Sequence, residues 1–230
     1  TYEDAKTRHD AGDSELDDMR QLSKLGNFGF PGGMGVPKLI RSIQKQLGQM
    51  NPELLKRLTA KGFLSVDRMK WLKTQWFETW PETPLYFARV NALCDTEDGK
   101  ATVETLFTKR TRGGASYCAA CNNGFQALGS DCAKEALWRV ALEQYTDESS
   151  PLYNTRTVAF VHDEIIIECD EATAHEAAIR LADVMVEGAN LYLPDVQIQR
   201  AKLKPVLMRR WSKKAKPIKG ADGRLVPWEM

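Results

Sequence analysis

No apolar run in this chain approaches the roughly 20 residues needed to span a bilayer, which excludes an integral membrane protein built on helices. No internal repeat and no low-complexity block is present. The first residues, Thr1 to Asp10, are polar and charged where a secretory signal would be apolar, and the opening Thr suggests a processed product or a fragment. Cysteine is sparse and odd in number, five in all, so reduced thiols in a cytosol-like compartment are expected rather than a disulfide framework. Cys118-Ala-Ala-Cys121 has the spacing of half a zinc site, but no second pair or nearby His completes it. Small residues at i and i+3 of a helix usually pack.

The composition that remains is that of an ordinary globular protein, and 230 residues allow one large domain or two small ones. A formal net charge of +1 hides strong segregation. Val36 to Trp76 holds nine basic and two acidic residues, Glu143 to Gln199 two basic and twelve acidic, and Arg200 to Met230 ten basic and two acidic. Two basic territories around an acidic one suit a polyanion-binding protein with a cation site, although solvated faces would give the same tally.

Local signals predict an α+β chain, a helical basic part followed by a sheet-containing acidic part. A helix or helix pair is expected over Ala5 to Phe30, with a capping box at Ser14-Glu15-Leu16-Asp17. Phe30-Pro31-Gly32-Gly33-Met34-Gly35 should end it. Helices are predicted over 37–48, 52–61 and 65–80, then strands within 86–108 and a basic loop at 110–114. A long helix over 115–145, a strand–turn–strand over 157–169 and an amphipathic helix over 172–190 follow. A strand is expected over 196–207, before an irregular basic tail in which Trp211 and Trp228 could anchor.

Three constellations carry chemistry. Arg20, Lys24 and Phe28 recur every four residues, so on a helix they form one stripe that could hold a triphosphate and stack on a base. A solvated face with Phe28 in the core is the plainer alternative. His162-Asp163-Glu164 lies between two apolar β-rich runs, which should present it at the tip of a buried pair. Adjacent carboxylates at such a tip can hold Mg²⁺, and an ordinary polar turn would look the same. Asn122 and Gln126 could read minor-groove acceptors, or serve only as capping and turn residues.

The order and spacing of the three together resemble the family A DNA polymerases, the bacterial DNA polymerase I type with a phage-like flavour, from Asp17 to about Met208. Arg20-Gln-Leu-Ser-Lys24-Leu-Gly-Asn-Phe28-Gly is similar to the fingers helix of that family, and Phe160-Val-His-Asp-Glu-Ile-Ile-Ile-Glu168 to its palm hairpin. The resemblance implies a right-hand polymerase fold, incomplete here, with fingers over 1–85 and part of the palm, an antiparallel sheet, over 86–230. It further implies that Arg20 and Lys24 contact the phosphates of an incoming deoxynucleoside triphosphate. Phe28 would pack on its sugar and base, as in members that discriminate against dideoxynucleotides. Asn122 and Gln126 would touch the minor groove of primer–template DNA, and His162 the primer terminus. Asp163 would be the metal ligand of a two-Mg²⁺ site, with Glu164 a second acidic catalytic group. A cytoplasmic location, in a bacterial cell or a phage-infected host, and no membrane partner go with this reading.

Departures from the family pattern set further expectations. Gly32 stands where the family usually carries Tyr, so the fingers helix should end early. Cys118 replaces a basic residue, so one minor-groove contact should be lost. The segment carrying the other metal-binding Asp should lie tens of residues before Arg20, and only nineteen precede it. The expectation is a C-terminal piece, inactive alone, whose missing N-terminal polymerase region lies in the same chain or in a split partner. A single-subunit phage-type RNA polymerase fragment is the enzymatic alternative, though His-Asp-Ser is more usual there. A non-catalytic DNA-binding relic is the other.

Overall fold

The computed structural model describes residues 2–229, apart from the side chains of Tyr2, Asp10, Phe28 and Lys202. Helices combine with short antiparallel ribbons, so the chain is α+β. It divides into two units, Thr1–Thr105 with Lys109–Phe125 and Leu106–Thr108 with Gln126–Met230.

The first unit begins with α1 (Tyr2–Asp10) and α2 (Ser14–Gly29). Asp13, not Ser14, caps α2, its carboxylate accepting from the backbone N–H of Glu15 and Leu16 at 3.0 and 3.1 Å. A charged acceptor at the positive end of the helix satisfies those orphan donors, which displaces the expected capping box by one residue. Along α2 the buried positions Asp18, Leu22 and Gly26 recur every four residues and lead to Phe30. Asp18 is fully buried yet paired, with Arg57 at 2.9 Å and Lys61 at 3.2 Å. The sequence then builds α3 (Val36–Met50), α4 (Pro52–Ala60) and α5 (Val66–Thr79). Pro37 and Pro52 sit in first turns, where a missing N–H is no loss. Phe30, Leu39, Ile43, Leu58 and Met69 form the core of these helices.

Thr83–Leu93 is helix α6, where strand was expected. Pro84 falls in its first turn and fixes φ for a helix start. Tyr86 and Val90, four apart, then turn to one apolar cluster, a helical period hidden among other apolar residues. Strands β1 (Lys100–Glu104) and β2 (Thr111–Ser116) pair antiparallel. The basic run at 110–114, expected as a loop, is therefore largely strand. Helix α7 (Tyr117–Asn122) follows.

In the second unit α8 (Leu128–Thr146) and α9 (Ala174–Asn190) cross at near contact of their backbones. A Cβ on Gly188 would lie 2.9 Å from the N and Cα of Ala136, so only glycine fits there. Ala136, Val140, Leu152, Ile165, Ala177 and Val184 form the core. β3 (Arg156–Val161) and β4 (Glu164–Glu168) make a hairpin covered on one side only. Ile165 is buried, whereas Val158, Phe160 and Val161 are exposed, so the expected buried pair is half realised.

Residues 196–207 are irregular apart from a 3-10 turn at Arg200–Lys202, not the expected strand. Local side chains satisfy this backbone instead. Asn190 accepts from the Ile198 N–H at 2.7 Å and donates to its carbonyl at 3.1 Å, while Arg200 pairs with Asp183. β5 (Ile218–Lys219) and β6 (Leu225–Val226) close the chain as a third two-stranded ribbon. No described helix is long and apolar enough to cross a membrane.

Candidate functional site

Burial of Asp18, Leu22 and Gly26 dictates where Arg20 and Lys24 go. Two residues along an α-helix is a rotation of about 200°, so these cations stand opposite the buried stripe. Both are exposed. Arg20 lies 3.9 Å from Asp17, a solvent-facing contact of little energetic weight, and Lys24 has no carboxylate partner among the described residues. Phe28 follows on the backbone of α2, but its side chain lies outside the described residues, so its stacking role is carried by sequence alone. The break after α2 is held from α5. Lys73 donates to the Met34 carbonyl at 3.3 Å, and Trp76 packs on Phe30 with ring centroids 5.7 Å apart and donates to Asn27 at 3.0 Å. Burial lowers the Lys73 pKa from its ordinary value.

Asn122 closes α7, and its side-chain amide lies directly over Gly32. A Cβ on Gly32 would meet Asn122 Nδ2 at 2.7 Å and Oδ1 at 2.9 Å. Any side chain at 32 would therefore displace the Asn122 amide.

Gln126 lies in a π turn, Asn123–Ala127, rather than in the α-helix expected through this stretch. Tyr86 accounts for it. The Tyr86 hydroxyl donates to the Cys121 carbonyl at 2.6 Å, competing with the amide four residues on. Insertion of a side chain into the i→i−4 ladder is a recognised cause of helix distortion, and π turns of this kind occur often at functional sites. Gly124 makes the approach possible, since a Cβ there would lie 2.6 Å from the Tyr86 oxygen. Burial, the largest cause, pushes the Tyr86 phenol up to about 12, which keeps the donor proton in place. Tyr86 is a site-shaping residue that the sequence reading did not single out. Its only signal was an aromatic four residues before a buried Val.

His162 and Asp163 are the two loop residues of the β3–β4 hairpin, between the paired Val161 and Glu164. His162 has φ +59°, in the left-handed region that favours glycine. His162, Asp163 and Glu164 are brought together and exposed. Gln144, buried on α8, fixes the base of the hairpin. It donates to Thr155 Oγ1 and accepts from Thr157 Oγ1, both at 3.0 Å. Gln144 was also missed, although it continues the buried steps of four through Cys132, Ala136 and Val140.

Asp163 and Glu164 line one groove of about 1100 Å³, bounded by β4, α9 and the segment from Leu203 to Lys213. Their oxygens are the donor type that a hard divalent cation takes. Among the described residues no group of three His, Cys, Asp or Glu side chains converges to hold a metal. The candidate nucleotide residues belong to the first unit and the hairpin to the second. Compared with family models, with curated proteins and with solved structures, the chain finds no match in any of the three.

Proposed function

We propose that this chain serves template-directed DNA synthesis as the C-terminal part of a larger family A polymerase, acting in the cytoplasm of a bacterial cell or phage-infected host. The hairpin tip carries the reading. A histidine held at φ +59°, where glycine would avoid a cost on the order of 1 kcal/mol or more, is followed directly by two exposed carboxylates. Strain kept at such a place points to selection for the side chains rather than for the turn. The cation stripe of α2, facing away from its core, supports the same reading.

In the reaction, the primer 3′-hydroxyl attacks the α-phosphorus of a bound deoxynucleoside triphosphate in line with the departing pyrophosphate. Arg20 and Lys24 neutralise the triphosphate, Arg20 through its planar fork and Lys24 as a point charge. Phe28 packs on sugar and base. His162 lies against the primer terminus, while Asn122 and Gln126 touch minor-groove acceptors common to all base pairs. Asp163, with Glu164 beside it, would hold Mg²⁺, which when bound stabilises charge on the attacking and leaving oxygens.

Primer extension by the full-length product tests this. Asp163→Ala is expected to lower extension by at least about 10²–10³-fold, the usual worth of one preorganised electrostatic group, with primer–template binding retained. Wild-type turnover in that variant would overturn the proposal. Preferential use of ribonucleotides would make the enzyme an RNA polymerase instead.

A further inference from the structure

The C-terminal segment carries charge that the fold does not use. Between Asp195 and Asp222 the chain has no acidic residue, while Arg209, Arg210, Lys213, Lys214, Lys216 and Lys219 follow within eleven positions. Arg209 is engaged, with Glu171 at 2.8 Å and Glu229 at 3.4 Å. The other five are exposed, and among the described residues none has a carboxylate within ion-pair distance. Concentrated like charge destabilises a compact state through self-repulsion.

Trp211 sits inside this run with 55% of its surface exposed. A floppy tail does not explain that exposure, because the backbone around it is tied down. Trp228 donates its N–H to the Leu207 carbonyl at 2.8 Å, and Met208 bridges Trp228. Ser212 N–H reaches Met208 Sδ at 3.3 Å, and Ala215 N–H donates to the Ser212 carbonyl at 3.0 Å. Trp211 and Lys213 form one lip of the groove that Asp163 and Glu164 also line. Glu168, Asp170 and Glu171 line the same groove and Glu171 already holds Arg209, so contacts to a polyanion fall to the cations beyond it in sequence.

We propose that this lip is a single-stranded DNA track, with Trp211 as the stacking platform and Arg210, Lys213, Lys214 and Lys216 as phosphate contacts. An unpaired base and a phosphate backbone together satisfy both features, since stacking takes any base and the cations follow the backbone. An acidic peptide would satisfy the cations and leave the ring unused. A membrane surface would call for an amphipathic helix, and this segment is non-helical, with Pro205 and Pro217 near its ends. The choice of DNA over RNA rests on the proposed function; the track itself rests on the charge, the ring and the groove lip.

The experiment is a titration of labelled oligo(dT) with this chain in EDTA and without nucleotide, followed by fluorescence anisotropy of the label over a range of salt. Trp211→Ala should weaken binding by about tenfold or more with Tm unchanged, and Trp211→Phe should restore most of it. Replacing Lys213, Lys214 and Lys216 together by Ala should reduce the slope of log K against log salt by about 2. Wild-type affinity in Trp211→Ala, failure of Trp211→Phe to restore binding, or an unchanged salt slope would each overturn the track. Heparin, a polyanion without bases, should bind without dependence on Trp211; equal dependence would overturn the stacking role. Tighter binding of oligo(rU) would overturn the assignment to DNA. The binding readings need neither Mg²⁺ nor a nucleotide while primer extension needs both, so failure of the polymerase proposal and failure of the track are separately visible.

Discussion

Asp18 shows how a single side chain aims the candidate nucleotide helix. Its carboxylate has no exposed surface, yet it accepts from Arg57 and Lys61 on and just beyond α4. The hydrogen bonds from Arg57, with Lys61 adding to them, hold the Asp18 carboxyl below the usual carboxylate range. By clamping the inner face of α2, the cluster fixes Arg20 and Lys24 outward. Asp18→Asn should cost about 2 kcal/mol, toward the lower end for a broken buried pair because Arg57 and Lys61 stay hydrated. The sign with pH follows from the depressed pKa. The contribution is complete above the unfolded value of about 3.9 and is lost as pH falls through the lower folded value. Urea unfolding of wild type and variant should therefore differ most at neutral pH and converge in acid. An equal gap at both would show that the charge is not what stabilises α2. Nothing in the sequence marked Asp18 among the neighbouring Asp17 and Glu15, since its partners lie about forty residues away.

Between Tyr86 and the π turn, one element sets the geometry of another. The phenol on α6 takes up the Cys121 carbonyl, and the extra residue is accommodated in Asn123–Ala127. Tyr86→Phe keeps the ring against Phe125, whose centroid is 5.3 Å away, and removes only the donor. Stability should fall by about 1 kcal/mol, and Cys121 should regain its α-helical partner. That change shifts the register at Gln126 by one residue, so on the proposed function primer–template affinity should fall although Gln126 itself is intact. Unchanged affinity, measured beside an unchanged far-ultraviolet spectrum, would dissociate the π turn from DNA contact. The sequence made α3, α4, α5, α9 and the β3–β4 hairpin legible, because prolines, caps and alternating apolar residues bound them. It misled at α6, where a crowded apolar run obscured the helical period, and at 196–207, where Asn190 and Arg200 satisfy a backbone that has no partner strand. A tertiary hydrogen bond such as that of Tyr86 leaves no periodic trace at all.

At the scale of the molecule, charge is arranged by region while the total stays near neutral. The candidate site was legible to the extent that its residues are local in sequence: the α2 stripe and the hairpin tip. Supports that come from distant segments, Gln144 beneath the hairpin and Lys73 behind the break after α2, were not. The regional arrangement has a consequence for DNA affinity that net charge would not suggest. A protein of formal charge +1 with evenly mixed charges should bind a polyanion weakly and with little response to salt. On the proposed function, the basic stretches Val36–Trp76 and Arg200–Met230 would each displace counterions from phosphates, less the cations already held by the acidic stretch, Arg200 by Asp183, Arg209 by Glu171 and Arg224 by Glu176. Each phosphate neutralised lowers the slope of log K against log salt by about 0.9 for a duplex. Raising salt from about 50 to about 200 mM should then weaken primer–template binding by about tenfold if two phosphates are neutralised, and by about a hundredfold for four. A flat response over that range, measured by fluorescence anisotropy, would mean that the basic stretches are solvated faces, and the case for a DNA-handling protein would lose its electrostatic half.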